Sequence, residues 1–416
     1  MSMVTYANPG VYIEDLYTSA DPDSLGRIRR RPVPPAGRTS ASGRPGPRAR
    51  WIGEHSVAAF VGLAVDGPVH RAVPISDTDQ FEYTFGGSVV GGYLADAVWG
   101  YFANGGRSCC VVRVNDGNEL RATADDFLGD AADRTGLEGL APERDLSTVC
   151  APDVMALYDA GVFGVDTVRA VQLGMTTHCE LHRDRMAVLD PPAGLDLGQI
   201  LEWRRDVTRY ESDFGALYYP WIKVLDRGSG VFRAVPPSGH IAGVYARTDL
   251  QFGPHHSSIG EPIAGTIGPV RDVLVGEQEL LHPSGINSLV GRPGAGTVIW
   301  GNRSLSVTPR WRHVQTRRLM NFIDRNIVQG MAWVISEPGD RRSLFAPVER
   351  ELSGLLERLW RAGALHGDTP AEAFSVRCDE ETSPAEQLDA GQVIAMCRAV
   401  TIDGTLMLFR VVHYLG

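Results

Sequence analysis

The pattern of apolar and polar positions divides the chain into a short isolated strand, a polar gap, and a long run of strand and helix signals. Val11 to Tyr17 reads as a strand entered through the turn signal Pro9-Gly10. Residues 21–50 show no apolar periodicity and are rich in Arg, Pro, Gly and Ser. That composition cannot bury a core, so it predicts a linker or exposed loop. A strand ahead of such a linker has nothing nearby in sequence to pair with, which suggests an arm that pairs elsewhere. Globular patterning begins near Trp51. Val57 to Ala64 is an apolar run of buried-strand length. Leu94, Ala97, Val98 and Tyr101 share one face of a helix from Tyr93 to Ala103, ended by Asn104-Gly105-Gly106. Cys109 to Val114 is the next strand.

The middle third alternates. Leu146 to Cys150, Met186 to Leu189 and Ala216 to Val224 read as strands. Between them, Val165, Val168, Gln172, Met175 and Cys179 recur at spacings of three and four, as do Leu197, Ile200, Leu201, Arg204 and Val207. This β-α-β-α-β order predicts a mostly parallel sheet with helices on its faces. The last third begins with the strand Thr297 to Trp300. A long helix is expected from Thr308, with Pro309 at its first position and Leu319, Phe322, Ile323, Asn326 and Ile327 inward. A second is expected over Ala346 to Ala362. Strands Val393–Ile402 and Leu406–Leu415 then flank Asp403-Gly404, a strong hairpin signal. The fold class is therefore α/β, α+β overall. There is no tandem repeat of fixed period.

Charge and chemistry narrow the function. The 416 residues carry a formal charge of −10, which argues against a general nucleic-acid or membrane-surface binder. Lys223 is the only lysine. No apolar run is long enough to span a bilayer, and the first residues lack the pattern of a secretory signal. Six cysteines in so long a chain do not form a disulfide framework, and a reducing cytosol is the expected place of synthesis. Gly291 to Thr297 has the glycine spacing of a phosphate loop but no lysine before the threonine, and it precedes a strand instead of following one. His178 and His182 lie one helical turn apart and could serve a metal-dependent hydrolase. The position after His178 is Cys179, where a zinc protease needs glutamate, and no third ligand is evident nearby in sequence. Cys109 and Cys110, adjacent on a strand, should face opposite sides as buried free thiols. His255-His256 reads as an exposed loop pair. No Gly-x-Ser-x-Gly nucleophile elbow is present. The expected catalytic, cofactor and metal residues are thus none.

A set of short stretches runs in order along nearly the whole chain. It starts with Pro9-Gly10-Val11-Tyr12-Ile13-Glu14, Ser56 to Gly62, Phe85-Gly86-Gly87 and Tyr101 to Gly106. It continues with Arg185 to Pro192, Tyr218 to Ile222 and the most specific block, Pro236 to Asp249. Gly285-Ile286-Asn287, Trp300-Gly301-Asn302-Arg303, Arg317-Arg318-Leu319 and Phe374 to Asp379 complete the set. In this order they resemble the tail-sheath family of contractile phages, R-type bacteriocins and extracellular contractile injection systems. Three departures stand out: residues 21–50 look like an insertion, Gly339 follows Glu337-Pro338 where the family often has asparagine, and Ile402-Asp403-Gly404-Thr405 replaces a family element before the last strand.

The resemblance implies a structural subunit, not an enzyme, that polymerises helically around an inner tube. It implies a discontinuous inner domain built from both chain ends, with terminal strands exchanged between neighbours, and an α/β outer domain. On that basis residues 1–20 are the arm, 21–50 the linker, 51–115 the N-terminal part of the sheath core, 116–300 the outer domain and 301–416 the inner domain with an exchanged hairpin. Val11, Tyr12, Ile13 and Leu16, and Leu406, Leu408, Phe409, Val411 and Val412, are the expected exchange residues. Two charged segments could face the tube. The acidic stretch Asp379, Glu380, Glu381, Glu386 and Asp389 is preferred, and the helix bearing Arg310, Arg312, Arg317, Arg318 and Arg325 is the runner-up. Implied partners are other copies, the tube protein, and baseplate and terminal cap proteins, with no nucleic acid, no membrane insertion and no cofactor. Assembly is expected in the bacterial cytoplasm, within a phage tail or tail-like particle.

Overall fold

A computed structural model of the chain describes residues 8–16, 56–117, 119–226, 230–336 and 340–415. The 21–50 linker lies outside the described residues. The chain packs as two units, one made of Gly53–Asn326 and the other of Met1–Ile52 together with Ile327–Gly416.

In chain order the strands are β1 Gly10–Asp15, β2 Val57–Gly62, β3 Ala72–Ile75, β4 Cys109–Arg113 and β5 Leu146–Cys150. Then come β6 Met186–Leu189, β7 Gly215–Tyr219, β8 Ile222–Leu225, β9 Phe232–Val235 and β10 Thr266–Pro269. The last are β11 Ile286–Arg292, β12 Gly296–Ile299, β13 Phe374–Arg377, β14 Gln392–Val400 and β15 Leu406–Tyr414.

The 53–326 unit is built on an eight-stranded sheet ordered β12-β11-β7-β6-β5-β2-β4-β3. From β11 to β4 every pairing is parallel, and the two edge strands β12 and β3 run antiparallel. A parallel sheet is stable when both faces are covered, and the strand residues sort accordingly. Ala59, Val61, Cys110, Val112, Val149, Ala187 and Leu217 enter one core, with Val168, Met175 and Cys179 of the helix Val165–His182. Ala58, Phe60, Cys109, Val111, Cys150, Val188 and Ala216 enter the other, with the helices Leu94–Ala103 and Ser238–Phe252. Cys109 and Cys110 thus face opposite cores, and all six cysteines are buried free thiols.

The block Pro236 to Asp249 owes its character to close helix packing. A Cβ on Gly239 would stand 2.4 Å from the Ala97 backbone, and one on Gly243 would stand 2.4 Å from the Tyr101 carbonyl. Two glycines four residues apart let one helix lie on the backbone of another. Asn287 is a second clamp. Its amide donates to Leu217 O at 3.2 Å and Arg303 O at 2.7 Å and accepts from Arg303 N at 2.6 Å. Gly301 sits flush against it, since a Cβ there would stand 2.6 Å from Asn287 Cα.

The other unit holds an antiparallel sheet ordered β1-β15-β14-β13. The helix Phe345–Arg361 buries Val348, Leu352, Leu355, Leu356 and Leu359 at helical spacing.

Several expectations need correction. Residues 51–115 are not separate from 116–300: β2 lies in the middle of the large sheet between β5 and β4, buried on both faces. Nor does the C-terminal unit begin at 301, because residues up to Asn326 pack with the large sheet. The strand expected over Ala216 to Val224 is two strands in two sheets, separated at Pro220, which has no N–H for a ladder. The helix expected from Thr308 starts at Val314, after a separate turn at Pro309–Trp311. Arg312 O accepts from Ser304 N at 3.0 Å and Asn302 O accepts from Val314 N at 3.2 Å, so residues 312–314 bond to another segment. The rejected phosphate-loop segment is instead a tight glycine turn, with Gly294 and Gly296 at φ 77° and 71° shaping a hairpin between β11 and β12.

Candidate assembly surfaces

The chain ends meet in one sheet. β1 pairs antiparallel with β15 along its full length, with Tyr12 opposite Val412, Ile13 opposite Val411 and Glu14 opposite Arg410. Leu16 N extends the ladder to Leu408 O at 2.8 Å. Arg410 Nε donates to Glu14 Oε2 at 2.5 Å, across 396 residues of sequence. Within one chain β1 pairs with β15, and β15 is flanked on both sides by strands of the same chain. The sequence could not show this, because strand pairing is decided by which edge is within reach. The strands differ in burial. Every residue of β1 is only half-buried, whereas Met407, Phe409, Val411, Val412 and His413 of β15 are buried. Burial pushes the His413 imidazole down to about 4, with Nδ1 3.3 Å from Val393 O.

The acidic stretch forms a turn and a short helix in the same unit. Asp379 accepts from Glu381 N at 2.9 Å and Thr382 N at 3.0 Å, and its carboxylate is 2.5 Å from Arg377 Nε. These bonds hold its carboxyl below the ordinary range, led by the backbone donors at Thr382. Arg377 also pairs with Glu381, and Arg342 lies 3.4 Å from Glu380. Glu386 and Asp389 are exposed on the helix Ala385–Asp389.

The arginine helix is a structural element. Arg317 is fully buried, 3.1 Å from Asp213 and 3.6 Å from Asp324, with its guanidinium over the rings of Phe214 and Trp311. Arg318 pairs with Asp249 at 2.5 Å over the Tyr245 ring. Arg325 donates to Leu146 O and Asp184 O at 2.7 and 2.6 Å. These three cations are consumed inside the 53–326 unit, which removes them as a tube-facing surface.

The histidine pair acquires a third group that sequence spacing missed. Glu138, forty residues earlier in the chain, stands 3.5 Å from His178 Nδ1, and the rings of His178 and His182 lie 4.4 Å apart. Arg185, itself buried, has Nη1 3.3 Å from His178 Nε2. Arginine only donates, so Nε2 must accept and the ring proton sits on Nδ1, facing Glu138. Neither nitrogen then offers a lone pair to a metal. Burial, with the Arg185 charge second, drives the His178 imidazole down to about 3. Arg185 braces the His178 ring through Nε2, Nδ1 makes no hydrogen bond to Glu138, and the arrangement gives no support to hydrolase chemistry. The other loop pair, His255 and His256, is half-buried and not openly exposed.

Open α/β sheets bind ligands at the carboxyl ends of their strands. Two buried carboxylates stand there, and both hold helix N-termini. Asp153, after β5, accepts from Leu63 N, Tyr93 N and Leu94 N at 2.6, 2.5 and 3.1 Å. Asp190, after β6, accepts from Ser238 N at 3.0 Å. Burial raises them to about 6 and about 7.

Residues 153–305 match the phage tail sheath protein central domain, and residues 306–406 match the phage tail sheath C-terminal domain. The chain belongs to the phage tail-sheath family. It is 26% identical over 273 residues to a prophage major tail sheath protein of Pseudomonas aeruginosa, and 26% identical over 294 residues to the tail sheath protein of Burkholderia phage BcepMu. These alignments cover 63% and 66% of this chain but 64% and 58% of the relatives, so the chain spans less than two thirds of their length. In fold it is similar to the helical sheath of the anti-feeding prophage in its contracted state, with TM-score 0.68, 22% identity, and 89% of this chain and 96% of that one covered. It is likewise similar to the contracted sheath complex of an extracellular contractile injection system, PVC, with TM-score 0.64, 24% identity, and 87% and 95% covered.

Proposed function

We propose that the chain is a structural subunit of a contractile tail sheath, polymerising helically around an inner tube and contracting to drive it through a target envelope. The observation that carries this reading is the match to both sheath domains over consecutive residues. The end sheet supports it. An edge strand whose residues are all half-buried, entered from a chain end, is the kind of strand a neighbour's sheet can accept by main-chain pairing. Exchange would place one chain's Val11, Tyr12, Ile13 and Leu16 on a neighbour's Leu408, Phe409, Val411 and Val412, in the register seen within one chain. Subunits so linked can rotate and slide without dissociating. Contraction needs only on the order of a few kcal/mol per subunit, because small differences add across a cooperative polymer.

Partners beyond other copies belong to the same reading: an inner tube, a baseplate and a terminal cap, with assembly in the bacterial cytoplasm. The 327–416 region would face the tube through Asp379, Glu380, Glu381, Glu386 and Asp389. Glu386 and Asp389 are the stronger members, since Arg377 and Arg342 already draw on the other three. Negative-stain microscopy of full-length protein should show tubular or helical particles, and deletion of residues 1–17 should leave a folded chain that forms none. Normal tubes from the truncated chain would sink the exchange. Reversing Glu381, Glu386 and Asp389 to arginine should block coating of the tube and spare tube-free polymer; normal coating would move the tube contact elsewhere.

A further inference from the structure

A second, small sheet in the 53–326 unit, ordered β10-β8-β9, has one packed face and one bare one. Ile222, Val224 and Val235 point into the core beneath the large sheet. Arg233 turns the same way, 3.4 Å from Asp96 and 3.5 Å from Asp226. The register sets the other face. Leu225 is opposite Phe232, and Lys223 is opposite both Ala234 and Gly268. Ile267 is the extra residue of a bulge between Thr266 and Gly268. Leu225, Phe232 and Ile267 are 54%, 58% and 56% exposed, and Lys223 and Ala234 are exposed beside them. Apolar side chains contiguous on one sheet face, in contrast to scattered single ones, mark an interaction surface.

We propose that this face is a contact between copies of the chain in the assembled polymer, a reading that rests on the proposed sheath function. Two observations select a second copy as the occupant. Among the described residues the paired positions of this face carry one cation, the chain's only lysine, and no carboxylate. The eight arginines and two aspartates of residues 21–50 leave the remainder of the chain at −16, an acidic partner for a cation-bearing apolar face. Size is the second. A stable free dimer needs roughly 800 Å² per partner, and a few side chains on short strands supply much less. Such a contact is too small to hold two free subunits together but adds to others in a polymer, where each neighbour is already tethered.

Lys223 makes the test direct, because an amine-reactive acetylating reagent has one side-chain target in the chain. Full-length protein is acetylated as free subunit and as pelleted polymer, and Lys223 modification is followed by mass spectrometry. The expected result is at least about tenfold slower modification in polymer made from this chain alone. Equal rates in polymer and free subunit overturn the proposal. Protection that appears only when other particle components are added assigns the face to a different protein and also overturns it. Absence of any polymer fails the sheath reading and the contact with it, an outcome distinct from polymer with a reactive Lys223. Two variants give a second readout. Phe232→Glu sits on the bare face, and Gly268→Gln adds a side chain where a Cβ meets nothing within 4 Å. Both should keep the melting profile of the free subunit and raise the concentration needed for polymer by about tenfold; polymer at the unmodified concentration from both overturns the proposal.

Discussion

The two units solve opposite problems with the same chain. The 53–326 unit is closed: its central strands are covered on both faces, its buried Arg317 and Arg318 have carboxylates, and its buried Asp153 and Asp190 have backbone donors. The terminal unit is closed only by an edge strand whose six residues are all half-buried. On the proposed sheath function, such a pair would suit a polymer that rearranges without falling apart, with a body that does not deform and a joint that can be exchanged.

The largest blow to the closed unit should come from Arg317→Ala. Removing one partner of a buried pair strands the others, at a cost of about 3–5 kcal/mol. Chemical denaturation measures this, and a loss near zero would mean that Asp213 and Asp324 do not depend on it. Acid should separate the units next. His413, with its imidazole lowered to about 4, is neutral in the fold and protonates on unfolding. The unfolded state therefore binds more protons between roughly pH 6.5 and 4, so this contribution is present above 6.5 and is lost as pH falls, up to about 3 kcal/mol. In the closed unit His178 and His240 act the same way, but Asp96, Asp153 and Asp190, raised to about 6, 6 and 7, act oppositely. Hydrogen exchange at pH 4.5 should loosen β14 and β15 before β5 and β6, and His413→Gln should remove the difference. Gly243→Leu forces a side chain against the Tyr101 carbonyl and should cost about 1–3 kcal/mol, read from the thermal midpoint. The smallest effect belongs to the joint. Glu14→Arg should cost about 0.2–1 kcal/mol, restored by Arg410→Glu in the same chain. Polymer assembly from mixed single variants should follow the same pairing rule.

The regular parts of this architecture were legible because period and burial coincide. Val168, Met175 and Cys179, and the five apolar residues of the helix Phe345–Arg361, announce their faces by spacing alone. Asp403-Gly404 likewise marks the hairpin between β14 and β15. What sequence concealed depends on distant partners. Charge along the helix from Val314 looks like a solvated or tube-facing stripe until Asp213 and Asp249 arrive from elsewhere. Glu138 joins His178 only through a loop packed against the helix. The bare face of the small sheet was hidden because Ala216 to Val224 reads as one continuous strand. The terminal strands were legible by pattern, but whose strand they pair with is a property of the assembly.

Tyr12 and Val412 stand directly opposite in the β1–β15 ladder, a separation that suits a disulfide. The variant carrying Tyr12→Cys and Val412→Cys, polymerised and then oxidised, tests whether β1 is shared between subunits. Exchange predicts a ladder of covalent multimers on a non-reducing denaturing gel, collapsing to monomer on reduction. Internally cross-linked monomer alone, from polymer that is otherwise normal, would contradict it.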